Sequence, residues 1–461
     1  GGGGGVLQVK NVAVTVSPLD FDLLRVFNGG RFPVDWQGQF FGTVRGRGGP
    51  LDAFQVDDAR LEFHDKHVPG AVTRLTARGA LNILQPSQAV FLGLHVDVGT
   101  LDLRTVHYLF PSFARIGGTI SGTATLDSVW TDLRFRDADL SQHDGPGPPT
   151  HVTGSGRVTY GETTAFDVDL EASPISFTTL ARSYPGLRFR DSYSGPLRVR
   201  GTTANLEVET TLTGPAGELG ASGVFNLAPP VYGGRGTLRA HDLNVPMLLA
   251  DSTLPPARLT GAITGDVHGD SLSDLAGTAT AFLDSSRVDS IDIARSTGAF
   301  AFGGGRLRVD SLLLETSLFR ATAHGALGLA PAVRDSMQYV VTVDSLGALR
   351  PFLGLGRDDT ADTAAAADSS GADTASAPDA LTGTLRGEGV LSGSIDTLDT
   401  RGSVTGHDVG YGANRVATLA GTYAFRGLPH AAVGRIEGAM DSVVVAGIRL
   451  DSVAGGLDLV A

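Results

Sequence analysis

Residues 381–393 read LTGTLRGEGVLSG, and within them Gly387-Glu-Gly389-Val-Leu-Ser-Gly393 has the glycine spacing of a phosphate-cradling loop. Such a loop follows a buried strand and opens a helix, whose first N–H groups hold the anion. Downstream, SIDTLDTRGSVTG (394–406) has no helical period. Upstream, Leu381, Gly383, Leu385 and Gly387 alternate as a strand does. The glycines therefore belong to a strand pattern, and nucleotide binding is set aside.

That strand pattern recurs. Leu259, Gly261, Ile263 and Gly265 repeat it, as do Ile116, Gly118, Ile120 and Gly122. A longer copy runs Trp36, Gly38, Phe40, Gly42, Val44, Gly46, and a variant gives Tyr193, Gly195, Leu197, Val199, Gly201. Because residues i and i+2 of a strand share a face, each tract has one face of large apolar residues and glycines. The other face carries Gln37, Gln39, Thr43 and Arg45, or Thr119, Ser121 and Thr123, or Arg198 and Arg200. One face is apolar and the other wet.

Upstream of each tract the spacing changes to i, i+3, i+4, i+7, that of a short amphipathic helix. Val106, Leu109, Phe110 and Phe113 follow it, as do Phe177, Leu180, Ala181 and Tyr184. Looser versions are Leu19, Leu23, Val26 and Phe27, then Val245, Leu248 and Leu249, then Leu346, Leu349, Phe352 and Leu353. From Leu19, Leu101, Ile175 and Leu243 to their tracts the distances are 17, 15, 18 and 16 residues; from Leu346 to Leu381 it is 35. The excess is GRDDTADTAAAADSSGADTASAPD (356–379), a polar stretch without period that reads as a disordered linker. Helix starts lie 82, 74, 68 and 103 residues apart, and the last interval is attributed to the same insertion.

The chain thus reads as about five copies of one degenerate unit, helix, tract and further strands, making an elongated all-β repeat and not separate globules. Phe166, Val168 and Leu170, and Val341 with Val343, alternate in those further strands. Asp270-Ser271, Asp310-Ser311 and Asp344-Ser345 are expected at strand ends or helix entries, where short polar side chains cap and turn. At roughly 12–14 residues per strand and turn, some 35 strands are expected. The expected division is 1–18 as a strand region, 19–355 as repeats, 356–379 as linker and 380–461 as a continuing repeat. The GGGGG opening and a strand pattern still running at GGLDLVA suggest an internal piece of a longer protein. Two architectures fit: a sheet closed on itself as a solenoid, or a curled trough whose apolar floor is covered by something else, with glycines leaving room for a guest chain.

Composition removes several function classes. There is no cysteine, so disulfides, thiol catalysis and cysteine-ligated metals are excluded. The net charge is −13, and only Lys10 and Lys66 are lysine, so no basic cluster invites nucleic acid. His64 and His67 lie three apart, which on a strand points them to opposite faces and makes a poor chelate. His241-Asp242, His268 with Asp270, and His407-Asp408 lack a G-x-S-x-G nucleophile to complete a triad. Asp396, Asp399 and Asp408 could pair as glycosidase carboxylates, but such residues abound in any acidic β protein.

The order helix, about 16 residues, L-x-G-x-[IL]-x-G, then alternating strands resembles the AsmA-like/TamB family of bacterial envelope proteins along nearly the whole chain. The resemblance implies a long curled β-groove with an apolar inner face, in a periplasmic protein anchored to the inner membrane. It implies no enzymatic activity, no cofactor and no metal. Its expected partners are phospholipid acyl chains, the inner and outer membranes through segments outside this sequence, and an outer-membrane barrel protein. The groove-lining residues would be Trp36, Phe40, Val44, Ile116, Ile120, Leu197, Val199, Leu259, Ile263, Leu381 and Leu385. Two alternatives stay beside lipid conduction: an assembly scaffold for outer-membrane proteins, and a closed β-solenoid adhesin.

Overall fold

Period-two alternation becomes strand because one face can be buried while the other stays hydrated. The computed structural model describes residues 8–27, 37–84, 89–109, 116–160, 163–184, 187–228, 230–350, 381–428 and 432–459. These residues form one antiparallel sheet of 24 strands with a few short helices, so the protein is all-β. The strands are 9 to 15 residues long before any turn is counted, which is why there are 24 and not some 35. The chain divides into two compact units, residues 1–229 with 236–256, and residues 230–235 with 257–461.

The first unit opens with β1 (Gln8–Asp20), which runs directly into α1 (Phe21–Phe27). A first module follows: β2 (Gly38–Pro50), β3 (Phe54–Asp65), β4 (Val72–Asn82), β5 (Val90–Asp102) and α2 (Leu103–Leu109). The second repeats the plan with β6 (Thr119–Val129), β7 (Asp132–His143), β8 (Thr150–Thr159), β9 (Ala165–Ser176) and α3 (Phe177–Ser183). The third has β10 (Ser192–Thr202), β11 (Asn205–Gly214), β12 (Gly217–Asn226), residues 236–244 of β13 (Tyr232–Asn244), and α4 (Val245–Leu249). From β1 to β12 each strand pairs antiparallel with the next. Each of these helices forms beside its pattern, but the expected starts Leu19, Leu101, Ile175 and Leu243 still lie on β1, β5, β9 and β13, and α2 begins three residues before Val106. Phe110 and Phe113 lie outside the described residues.

Each closing helix docks on the middle hairpin of its own module. Thr105 of α2 donates to the Asp65 carboxylate at 2.6 Å, and Tyr108 stacks on the His67 ring at 4.2 Å. Thr179 of α3 donates to the Pro148 carbonyl at 2.6 Å. At α4, Leu248 joins Ala216 in a buried cluster, and the Asn244 N–H donates to the Ala216 carbonyl at 2.6 Å. Short polar residues start these helices: the Ser176 hydroxyl and the Asn244 amide oxygen accept the N–H of the third residue along, each at 3.1 Å. Asp102 accepts from the Arg104 N–H and its guanidinium, which holds its carboxyl below the usual range.

The tract glycines have a backbone cause. Val16 pairs with Gly42 and the next pair is Leu19 with Phe40, so β1 carries one extra residue just before α1. The same step separates Val98–Gly122 from Leu101–Ile120, and Ala172–Gly195 from Ile175–Tyr193. Opposite the bulge the strand bends: Gly42 has φ +138°, and a Cβ there would lie 1.9 Å from the Arg60 carbonyl oxygen. Gly122 has φ +130° with 2.0 Å to the Asp139 oxygen. No side chain fits either place. Beyond the glycine the large tract residue receives the helix, Phe21 on Phe40 at 5.8 Å between ring centroids and Phe177 on Tyr193 at 5.2 Å.

The second unit has residues 232–235 of β13, then β14 (Ala257–Gly269), β15 (Ala276–Val288), β16 (Ile291–Gly303), β17 (Arg306–Thr316), β18 (Arg320–Gly328) and β19 (Asp335–Val343). After the 3₁₀ turn Leu346–Leu349 come β20 (Leu381–Ser394), β21 (Thr397–Tyr411), β22 (Asn414–Leu428), β23 (Val433–Val445) and β24 (Ile448–Leu459). The interval of 103 residues is thus filled by six strands in place of four. The insertion 356–379 follows Leu346 and, with Phe352 and Leu353, lies outside the described residues. Ser271 and Ser345 precede 3₁₀ turns as expected, but Asp310-Ser311 sits inside β17, where the register against β18 shifts between Val309 and Leu312.

Candidate functional site

Pairing register converts the isolated tracts into continuous rows. In the first unit one row runs Val16, Gly42, Leu61, Leu75, Val98, Gly122, Leu140, Val152, Ala172 and Gly195, across β1 to β10. Every member is aliphatic or glycine. The neighbouring row on the opposite face runs Thr15, Thr43, Arg60, Thr76, Asp97, Thr123, Asp139, Thr153, Glu171 and Pro196. Cross-strand ion pairs lace that wet face: Arg74–Glu62 at 2.9 Å, Arg198–Asp169 and Arg200–Asp167 each at 3.1 Å. Being exposed and screened by water, they can favour one facing of a strand but do not hold the sheet.

Of the expected lining residues, Phe40, Val44, Ile120, Leu197 and Val199 lie half-buried on the apolar face of the first unit. Val44 pairs with Val14 and Ala59; Leu197 and Val199 pair with Leu170 and Val168. In the second unit Leu259, Leu381 and Leu385 are half-buried, Leu385 against Val343 and Gly406, while Ile263 is 50% exposed beside Ala281. Ile116 falls ahead of β6 and belongs to no strand, and Trp36 lies outside the described residues. Leu61, Leu75, Val98, Leu140 and Val152 complete the row but carry no glycine mark; alternation in TRLTARGAL and its neighbours was their only signal.

The stretch 381–393 lies in β20, and its glycines are roofed. One row of the apolar face runs Ala323, Tyr339, Gly389, Gly402, Tyr423, Ile436 and Leu457. The two tyrosines reach towards each other over the two glycines, hydroxyl to hydroxyl at 2.7 Å. Thr400 meets Tyr339 at 2.7 Å, and Tyr423 donates to the Glu388 carbonyl at 3.3 Å. A Cβ on Gly389 would stand 2.8 and 2.9 Å from the two hydroxyls. The gap expected to admit a guest chain is filled at this point by the protein's own rings.

Several of the polar candidates have structural roles. His64 contacts Glu62 at 2.5 Å, Glu62 also receives Arg74, and these two bonds lower its carboxyl pKa. His67 is occupied by Tyr108. Asp242 and Asp408, with φ +48° and +52°, are left-handed residues within strands. Asp399 accepts the Gly427 N–H at 3.2 Å. Among the described residues no three His, Asp or Glu side chains converge as a metal site. On the wet face of the second unit, a cavity of about 830 Å³ opens over β18 to β23, its lining including Gln338, Val390, Arg401 and Glu437.

No helix among the described residues is long and apolar enough to cross a membrane. Set against protein-family models, curated proteins and solved structures, the chain matches none of them.

Proposed function

We propose that the apolar face binds phospholipid acyl chains and that the sheet curls about this face as one segment of a lipid-conducting groove in the bacterial periplasm, between inner and outer membrane. The observation that carries the reading is the ten-strand row from Val16 to Gly195, aliphatic or glycine throughout, with a wholly polar row behind it up to Pro196. A single-layer sheet of this make-up leaves apolar side chains in water, as at Val14 (46% exposed) and Ile263 (50%), unless an apolar guest covers them. Each methylene buried contributes about 0.8 kcal/mol, so an acyl chain is held by contacts that repeat from strand to strand and lets go of no unique site when it slides. The guest lies over the filled surface of rings and aliphatic side chains and not in glycine gaps. No covalent step is needed, and the protein acts by binding alone.

The test is site-specific photo-crosslinking in cells at Ile263, on the apolar face, and at Thr264, on the wet face. Lipid capture at position 263 well above that at 264 is the expected result. Equal capture at both, or none at 263, overturns the reading.

A further inference from the structure

The cavity on the wet face of the second unit is not used by the acyl-chain reading, and its chemistry is different. Two adjacent rows form it. One runs Gln338, Val390, Arg401, Ala424 and Arg435, the other Val340, Glu388, Ser403, Thr422 and Glu437. Val390 and Ala424 flank Arg401 and give a small apolar floor; hydroxyl, amide and carboxylate groups surround it. Tyr339, Gly389, Gly402 and Tyr423, the row between these two, also contribute to the lining.

The lining carries two arginines and two glutamates, but the arginines are not equally partnered. Arg435 is paired with Glu437 at 2.8 Å, and Glu388 stands 3.8 Å from Arg386. Arg401 is exposed and has no ion-pair or hydrogen-bond partner among the described residues. Its planar fork matches a carboxylate or phosphate, which it holds with two parallel hydrogen bonds. Glu388 and Glu437 border the same space; they repel a second negative charge but accept hydrogen bonds from neutral hydroxyls. A volume of about 830 Å³ suits a ligand of one or a few sugar rings.

We propose that this cavity binds a sugar acid, a monoanionic carboxylate carrying several hydroxyls, with Arg401 on the carboxylate, Gln338, Ser403, Thr422 and the two glutamates on the hydroxyls, and Val390 and Ala424 under the ring. The site is independent of the apolar face, so it stands or falls apart from the acyl-chain reading.

Isothermal titration of the purified chain at low salt tests it, with galacturonate, galactose and inorganic phosphate as probes. Saturable binding of galacturonate is expected, with galactose at least about 10-fold weaker, since a charge-assisted pair is lost. Arg401→Gln should weaken galacturonate by about the same factor, and Arg401→Lys by less, because it keeps the charge without the fork. Both variants alter an exposed side chain, and an unchanged thermal midpoint verifies their fold. Absence of saturable galacturonate binding, binding unchanged in Arg401→Gln, or phosphate bound more tightly than galacturonate each overturns the proposal.

Discussion

Tyr339 and Tyr423 stand three strands apart with Gly389 and Gly402 between them, and their hydroxyls meet at 2.7 Å. At about 4.8 Å per strand the two backbones are roughly 14 Å apart, a span that two tyrosine side chains laid end to end just cover. The glycines are what let them lie flat. A Cβ on Gly402 would stand 2.1 Å from the Glu388 carbonyl oxygen and 2.5 Å from the Tyr423 hydroxyl, whereas one on Gly387 would meet only the Ser403 oxygen, at 4.0 Å. Gly402→Ala is therefore expected to cost about 2–3 kcal/mol, and Gly387→Ala less than about 0.5 kcal/mol. Chemical unfolding of the two variants side by side checks this; equal losses would mean that the tyrosine roof is not what selects glycine.

The hydroxyl pair makes a second prediction. Burial, and then the hydrogen bond shared with Tyr339, push the Tyr423 phenol well above its ordinary value of 10.0. The folded state thus keeps this proton when the unfolded chain has lost it. Stability from the pair is complete below the ordinary tyrosine pKa and falls as pH rises from there through the folded value. Ultraviolet titration should show a late-ionising phenol in the native protein that is missing in Tyr423→Phe. A double-mutant cycle with Tyr339→Phe should give a coupling of about 1 kcal/mol near neutral pH.

Local patterns carried much of this architecture. Phe177, Leu180 and Ala181 announce α3 by spacing, and Leu197, Val199 and Gly201 announce the apolar face of β10, because each pattern needs only its own segment. Register needs two. Leu61 and Leu75 join the row of Gly42 only through pairing, and the bulges beside Val16, Val98 and Ala172 shift which residues share a face before each helix. The role of glycine was hidden for the same reason. Gly42 is required by a bend opposite a bulge, Gly389 by rings arriving from neighbouring strands, and nothing in either tract separates these causes from open space. The wet-face cavity was equally illegible, since Arg401, Glu388 and Glu437 come from three strands.

His151 should make the second module pH-sensitive. Its Nε2 lies 2.7 Å from the Asp139 carboxylate and its Nδ1 3.0 Å from the Ser173 carbonyl, so the imidazolium can donate at both ends. The Asp139 bond, ahead of the Ser173 carbonyl, raises its pKa above 6.5. A raised histidine stabilises the fold fully below its unfolded pKa, and the contribution disappears as pH rises through the folded value. The thermal midpoint of His151→Gln should fall furthest below that of the native protein near about pH 5 and converge with it by about pH 9. A difference that grows with pH would mean that His151 is held neutral.

Asp408 tests whether the His/Asp neighbours are chemistry or backbone. It has φ +52° and is the extra residue of β21 against β20, where Thr382 pairs with Gly410 and Thr384 with His407. Its own carbonyl faces Gly383, on which a Cβ would lie 2.7 Å away. Left-handed backbone costs an ordinary L-residue about 1–2 kcal/mol, less for aspartate, and nothing for glycine. Asp408→Gly is therefore expected to leave stability unchanged or slightly raised, while Asp408→Val loses about 1–2 kcal/mol, because a β-branched side chain tolerates this conformation worst. Thermal unfolding of both variants decides the matter. If the glycine variant is as damaged as the valine one, the carboxylate itself carries the stabilisation, and the position is more than a bend in the strand.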